Sequence, residues 1–183
     1  FMLPLSDWAN RLPSQVIVVP HPSHIEQEPN DLSQSQAVEI PFSMTGAVAS
    51  PRDVDAFRFA GKKGQRLRLE VLARELGSLL DPVLRVYDSK GTVLKEADDD
   101  GRESADPDIE FVLPADGEYR VTMTDRFLHH GDRFSYLLNV TETSPDFSLA
   151  VASDSLVLKA DKELEVPVTV TRSAGFAGEI NLN

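Results

Sequence analysis

Alternation of apolar and polar residues is the feature that most restricts how this chain can fold. In residues 65–72, Leu67, Leu69 and Val71 alternate with charged side chains. Successive side chains of a strand point to opposite faces, so this pattern predicts a half-buried antiparallel strand. Further short strands are predicted at residues 15–19, 36–40, 44–48, 55–59, 83–87, 92–95, 109–113, 119–123, 134–140, 147–151, 156–159 and 164–170.

Turn signals separate these segments. Asp88-Ser89-Lys90-Gly91 and Pro114-Ala115-Asp116-Gly117 each place a glycine where a hairpin needs positive φ. Residues 73–80 break the alternation and are predicted as a turn or so of helix. Many short strands with almost no helical periodicity predict an all-β fold, an antiparallel β-sandwich.

Charge and composition exclude several classes of function. The chain has 183 residues and a formal net charge of -12, which repels nucleic-acid backbones and anionic lipid. It has no cysteine, so disulfides, thiolate nucleophiles and Cys-bound zinc are excluded. No apolar run reaches the roughly 18 residues of a membrane helix. The sequence shows no signal-peptide pattern. Both ends are expected to continue into a longer protein.

The segment Glu26-Gln27-Glu28-Pro29-Asn30-Asp31, here called the acidic hexad, contains three carboxylates and a side-chain amide. Glu26 and Glu28 point the same way in an extended chain. Two like charges about 4 Å apart repel by roughly 4 kcal/mol at an effective dielectric near 20. Oxygen donors without His or Cys suit Ca²⁺. A solvated acidic linker is the alternative, and Asp53 and Asp55 form a second acidic pair.

Other polar groups give weaker signals. The acidic cluster Asp98, Asp99, Asp100, Asp106 and Asp108 reads as a solvated loop with aspartates capping turns, or as a second metal site.

The histidines and catalytic motifs do not indicate an enzyme. His21 and His24 have a helical metal spacing, but Pro22 between them disfavours a helix. His129 and His130 lie in a predicted loop without a serine motif beside them, and no hydrolase, zinc-protease or phosphate-binding motif is present. We therefore predict that the chain is not an enzyme.

Four motifs in one order carry a resemblance to a known family. Together they resemble the bacterial pre-peptidase C-terminal domain, which is related to the collagen-binding domains of clostridial collagenases. The resemblance covers about residues 25–143, and the continuation from Pro145 looks like the start of an immunoglobulin-like module. The motifs are the acidic hexad, Asp53-Val54-Asp55-Ala56-Phe57-Arg58-Phe59, Asp81-Pro82-Val83-Leu84-Arg85-Val86-Tyr87-Asp88 and Pro114-Ala115-Asp116-Gly117-Glu118-Tyr119.

The resemblance implies a jelly-roll-like sandwich with flanking β segments and a bound calcium ion. In the family an acidic linker of the form Glu-x-Glu-x-Asn-Asp binds calcium together with the loop before a strand that starts Asp-x-Phe. In that loop Asp55 matches best, while Asp53 and Ser50 are further candidates. The collagen-binding relatives use a row of exposed tyrosines, whereas alternation here turns Tyr119 and Tyr136 inward. The implied metal ligands are Glu26, Glu28, Asn30, Asp31, Asp53 and Asp55.

The resemblance also implies a division of the chain and a role. Residues 1–24 are a linker or the end of a preceding domain, residues 25–144 the sandwich, and residues 145–183 an incomplete second β module. The expected function is a non-catalytic, calcium-stabilised accessory module of a larger secreted or cell-envelope protein. Its expected partners are neighbouring domains, and a protein or polysaccharide is a candidate ligand. A purely structural spacer is the alternative.

Overall fold

The computed structural model describes residues 17–19, 21–99, 104–153, 155–157 and 164–182. Residues 15 and 16 of the predicted strand 15–19, Asp100 and residues 158–159 lie outside these ranges. Residues 17–19 are irregular, so the strand predicted there is wrong over this part. The described strands, in chain order, are β1 (Ser23–Ile25), β2 (Gln36–Ala37), β3 (Phe42–Ala47), β4 (Asp55–Gly61), β5 (Arg66–Leu72), β6 (Pro82–Tyr87), β7 (Val93–Ala97), β8 (Asp108–Val112), β9 (Gly117–Asp125), β10 (Ser135–Glu142), β11 (Asp146–Val151) and β12 (Val168–Ser173).

Two five-stranded sheets form a sandwich. The first sheet has the order β1-β3-β10-β5-β8 and the second has the order β2-β4-β9-β6-β7. The predicted all-β sandwich is confirmed. Consecutive strands from β3 to β6 alternate between the sheets, which favours the jelly-roll subclass, and that subclass stays a prediction. A single 3₁₀ turn at Arg74–Leu76 lies within the helical turn predicted for residues 73–80.

The core lies between the sheets and is built from the inward side of each alternating strand. In β5, Leu67, Leu69 and Val71 are buried as predicted, while Arg68 is exposed. Tyr119 and Tyr136 are also buried, as their alternation predicts. Burial of these side chains supplies most of the favourable free energy of folding. The core residues Phe42, Met44, Phe57, Phe59, Leu84, Val86, Val121, Met123, Leu138 and Val140 belong to five further strands.

Some strands differ from the sequence prediction. β1 pairs with β3 and β2 pairs with β4 in parallel, and the alternation predicts neither parallel pairing. β2 ends at Ala37 rather than residue 40, before the strand-breaking Pro41. β12 runs over Val168–Ser173, so the segment 164–167 of the predicted strand 164–170 is irregular. No helix in the described ranges is long and apolar enough to cross a membrane.

Candidate metal centre

Backbone hydrogen bonds place the acidic hexad against the start of β4. At one end the N–H of Glu26 donates to the carbonyl of Thr45 in β3 at 3.0 Å. At the other end the carbonyl of Asn30 accepts the N–H of Ala56 in β4 at 2.7 Å. The five residues from Glu26 to Asn30 therefore connect the two sheets, beside Asp55, the first residue of β4.

Three carboxylates converge at this point. One oxygen atom from each of Glu28, Asp53 and Asp55 lies within 4.8 Å of the others. Calcium–oxygen distances of about 2.3–2.6 Å allow ligand oxygens to be up to about 5 Å apart across one ion. The exposed fraction falls from Glu28 at the surface, through Asp53, to the fully buried Asp55. The group can therefore hold a cation that enters from the side of Glu28.

The side chain of Asn30 completes the oxygen group. Asn30 is buried, and its amide oxygen faces only acceptors, at 3.3 Å from Oε2 of Glu28 and from Oδ1 of Asp55. Rotating the amide would instead point its nitrogen at both carboxylates as a donor. Without an ion, the rotated amide is favoured because its nitrogen donates to both carboxylates. With a cation bound among Glu28, Asn30, Asp53 and Asp55, the amide oxygen in its present position can serve as a ligand.

Glu26 and Tyr136 lie behind the cluster. Oε1 of Glu26 accepts the N–H of Ala47 at 2.6 Å. The Tyr136 hydroxyl lies 3.0 Å from Oε2 of Glu26 and 2.8 Å from Oδ2 of Asp55. A Cβ at Gly46 would overlap Oε2 of Glu26 and this hydroxyl, so only glycine fits there. Sequence reasoning missed this role of Tyr136, although an inward tyrosine needs a partner for its hydroxyl.

Burial opposes ionisation of Asp55 and of Glu26 behind it. Burial, and next the charge of Glu26, raise the pKa of Asp55 to about 8. Burial also raises the pKa of Glu26 above its usual value. The pKa of Tyr136 rises well above its usual value, again mainly through burial. Either a proton or a cation can relieve this repulsion.

The remaining predicted ligands are placed differently. The Asp31 carboxylate accepts the N–H of Ser33 at 2.7 Å and its hydroxyl at 2.6 Å, so it caps its own turn. These bonds to Ser33 lower the pKa of Asp31. The structure does not bring that carboxylate into the cluster. Ser50 contributes its backbone N–H, which donates to Oδ2 of Asp53 at 3.1 Å.

The second acidic cluster has structural partners. Asp106 is buried and accepts the N–H groups of Ala73 at 2.8 Å and Arg74 at 3.0 Å. Asp98 forms an ion pair with Arg126, and Asp108 forms one with Arg68. Within the described ranges, the Glu28 group is the one set of three or more carboxylate or histidine side chains close enough to share a metal.

The histidines do not form a metal site or a catalytic site in the described ranges. His24 lies in β1 and not on a helix. Nδ1 of His129 is 3.4 Å from Oδ2 of Asp125, and that carboxylate also accepts the backbone N–H groups of Phe127 and His129 at 2.9 Å. Asp125 therefore stabilises the loop after β9.

Comparison with known families gives a match within the sandwich. Residues 53–124 match the family described as the bacterial pre-peptidase C-terminal domain. The resemblance predicted from the sequence is confirmed over these residues. The immunoglobulin-like continuation stays a prediction.

One curated relative is a probable subtilase-type serine protease of Deinococcus radiodurans. It is 40% identical over 98 residues, which are 50% of this chain and 13% of the relative. The chain therefore spans a small part of the protein that it matches.

Two solved structures are among those to which this chain is similar. The pre-peptidase C-terminal domain of a Bacillus anthracis collagenase has 9% identity and a TM-score of 0.46, with 68% of this chain and 100% of that chain covered. PliG of Aeromonas hydrophila, a periplasmic inhibitor of g-type lysozyme, has 17% identity and a TM-score of 0.45, with 66% and 99% covered. Neither similarity bears on the ligands of this chain.

Proposed function

We propose that the sandwich is a non-catalytic accessory module in which a calcium ion binds the acidic hexad to the start of β4. The observation that carries this proposal is the convergence of Glu28, Asp53 and Asp55 within 4.8 Å, with the buried Asn30 beside them. Glu26 is the next member of the set, held 3.0 Å from the Tyr136 hydroxyl. The Asp31 carboxylate would bind the ion only after its hydrogen bonds from Ser33 break.

The donor set favours calcium over other metals. All the side chains that converge present oxygen, and flexible oxygen cages of six to eight ligands suit Ca²⁺. Transition metals prefer nitrogen or sulfur ligands, and Mg²⁺ requires a tighter octahedron. Backbone carbonyls and water can fill the positions that side chains leave open.

The mechanical effect of the ion would be to couple the segment before β3 to both sheets. Binding that occurs only in the folded state adds about 2.7 kcal/mol at a hundredfold excess over the dissociation constant. Extracellular calcium modules bind at about 10⁻⁴–10⁻³ M, so the site would fill after export. An extracytoplasmic location is therefore part of the proposal.

The module is inferred to be one domain of a larger polypeptide. The relative in Deinococcus radiodurans is a probable subtilase-type serine protease, and this chain matches 13% of it. We infer neighbouring domains of the same polypeptide as the first partners, and a protein or polysaccharide as a further possible ligand. A spacer without any ligand is the second form of the proposal, and the position of the candidate metal centre between the acidic hexad and β4 supports it equally.

The hairpin of β11 and β12 supports a second β module at residues 145–183. Leu149 pairs with Val170 and Val151 with Val168, so the four side chains share one face. They are between 37% and 50% exposed, and an isolated two-stranded sheet is at best marginally stable. In a protein that continues past Asn183, the amides of this hairpin should exchange hydrogen more slowly; equal rates would contradict the second module.

A thermal melt of the chain in EGTA, in CaCl₂ at about a hundredfold excess over its dissociation constant and in MgCl₂ at the same concentration tests the calcium site. Calcium should raise Tm by about 5–10 °C, and magnesium should raise it far less. Asp55→Asn should remove the rise while leaving the melt in EGTA at neutral pH nearly unchanged, because the protonated Asp55 and the asparagine are both uncharged.

A matched variant makes this test specific. Asp132→Asn removes the same charge from an exposed position in the loop after β9. It should keep the full calcium response. An equal rise in Asp55→Asn and Asp132→Asn, or no rise in the unmodified protein, would mean that the acidic hexad is a solvated linker.

A further inference from the structure

A small polar pocket lies on the outer face of the second sheet, beside the acidic hexad. It has a volume of about 350 Å³ and lies between the loop 33–35 and the strands β4 and β9. Its lining side chains are Ser33, Gln34, Ser35, Arg58, Glu118 and Arg120. Two arginines therefore face one pocket in a chain whose formal net charge is -12.

The two arginines are forced together by strand register. Arg58 of β4 is directly opposite Arg120 of β9. Both point away from the core, since Phe57, Phe59, Tyr119 and Val121 occupy the inward positions. Like charges directly opposite on adjacent strands destabilise a sheet. The pair therefore needs negative charge nearby.

Glu118 supplies one negative charge for these two positive charges. Its Oε1 accepts from Nη2 of Arg120 at 2.8 Å, and its Oε2 lies 3.7 Å from Nη1 of Arg58. Nε of Arg58 donates to the carbonyl of Ser35 at 3.0 Å, which is a neutral partner. The three side chains therefore carry one excess positive charge.

Arg120 also has a donor that the described residues leave without an acceptor. Its Nε is buried, and no described residue accepts a hydrogen bond from it. The same is true of the hydroxyl of Thr122, two positions further along the same face of β9. Buried donors without partners are costly, and a guanidinium favours bidentate bonds to planar oxyanions.

We propose that this pocket binds an oxyanion, a carboxylate or sulfate group, through Arg58 and Arg120. The guanidinium groups of Arg58 and Arg120 supply the donors, and the polar loop 33–35 also lines the pocket. The overall negative charge of the protein opposes long-range attraction of anions, so recognition depends on these short contacts. The group could be a free inorganic ion or the acidic group of an extended polysaccharide.

Titration of the full chain with sodium sulfate at constant ionic strength tests the pocket. The probe is the arginine Nε–H resonance in ¹⁵N-resolved NMR spectra. The Arg58 and Arg120 signals should both shift and saturate, and Arg120→Gln should lower the affinity measured at the Arg58 signal at least about tenfold. Glu118→Gln should raise the affinity, because it removes the competing carboxylate. Opposite effects of these two variants would not arise from a general loss of structure.

The matched control is Arg85→Gln, since Arg85 lies on the same sheet with its own carboxylate, Glu96, at 2.6 Å. It should leave sulfate binding unchanged. A parallel titration with trigalacturonate distinguishes the sources: tighter binding than sulfate, still dependent on Arg120, assigns the pocket to an acidic polysaccharide, whereas preference for sulfate assigns it to a free ion. Linear, unsaturated shifts that are identical in Arg120→Gln would overturn the proposal. Repeating the titration in EGTA keeps this result separate from the calcium site.

Discussion

The hydroxyl of Tyr136 lies 2.8 Å from Oδ2 of Asp55, a contact that joins the two sheets of the sandwich. Tyr136 belongs to β10 and Asp55 to β4, and both side chains are buried. The same hydroxyl lies 3.0 Å from Oε2 of Glu26, in the segment after β1. The candidate metal centre therefore lies where both sheets and the N-terminal segment meet, so its occupancy should affect the stability of all three.

Replacing Tyr136 by phenylalanine should destabilise the protein and weaken calcium binding. The variant removes a hydrogen bond to a charged group, worth about 1.5–3 kcal/mol, without changing the shape of the core. Burial raises the pKa of Asp55, and the hydrogen bond from the Tyr136 hydroxyl offsets part of that rise. Loss of the hydroxyl therefore makes ionisation of the Asp55 carboxylate harder. Urea unfolding in EGTA should show the loss of stability, and calorimetric titration should show weaker calcium binding.

The control for this variant is Tyr119→Phe. The Tyr119 hydroxyl donates to the carbonyl of Ala115 at 2.7 Å, away from the acidic hexad. This variant should lose stability without any change in calcium affinity. Equal calcium affinity in both variants would show that Tyr136 has no part in the metal centre.

The stability of the ion-free protein should fall as pH rises from 5.5 to 8. The pKa of Asp55 in the folded protein is raised to about 8 from a usual value of 3.8. The folded state therefore keeps a proton that the unfolded state has lost, and the stabilising effect of that proton disappears as pH approaches 8. The slope is at most about 1.4 kcal/mol per pH unit for one group.

Melts in EGTA across this pH range measure the effect. Calcium should flatten the curve at high pH, because it binds the ionised carboxylate and takes the place of the proton. Asp55→Asn should be nearly independent of pH in the same window. A wild-type stability that rises with pH in EGTA would contradict the raised pKa of Asp55.

Local sequence patterns predicted the strands and inward faces well. The alternation in β5 is a local property of seven residues, and Leu67, Leu69 and Val71 are buried as it predicts. β1 was not predictable in this way, since Ser23–Ile25 is only three residues long and forms through pairing with the distant β3. Nothing in three residues encodes such a partner.

The candidate metal centre was predictable only in part. Its ligand residues lie in short acidic segments that the sequence shows directly, whereas its supporting residues are distant along the chain. The acidic hexad is a contiguous run, so Glu28 could be proposed from the sequence. The Tyr136 hydroxyl reaches Glu26 across 110 positions, which no local spacing reveals. Asp31 matches the family form, yet its carboxylate bonds to Ser33 within its own turn, as aspartate often does.

Asp106→Ala should destabilise the protein equally with and without calcium. The buried carboxylate accepts backbone N–H groups from residues 73, 74 and 75, and the variant leaves these donors without their acceptor. A loss of about 2–3 kcal/mol is expected, or roughly 5–10 °C in Tm. Asp98→Ala, which breaks an exposed ion pair with Arg126, should cost at most about 1 kcal/mol. A calcium-dependent difference between the two variants would instead indicate a second metal site.

Calcium should slow hydrogen exchange at the amides that the acidic hexad holds. The N–H of Ala47 donates to Oε1 of Glu26 at 2.6 Å, and the N–H of Asn30 donates to Oε2 of Glu28 at 3.0 Å. An ion bound to these carboxylates opposes the local opening that exposes both amides. Exchange at these sites should slow by about tenfold to a hundredfold at saturating calcium.

Comparison within one molecule makes this measurement decisive. The N–H of Val71 donates to the carbonyl of Pro107 at 2.8 Å in the first sheet, and it exchanges only through larger openings of the sandwich. If calcium binds the acidic hexad, the amides of Asn30 and Ala47 should gain at least as much protection as that of Val71, and Asp55→Asn should abolish the gain. Protection of Val71 without protection of Asn30 and Ala47 would mean that calcium stabilises the fold without binding the hexad to β4.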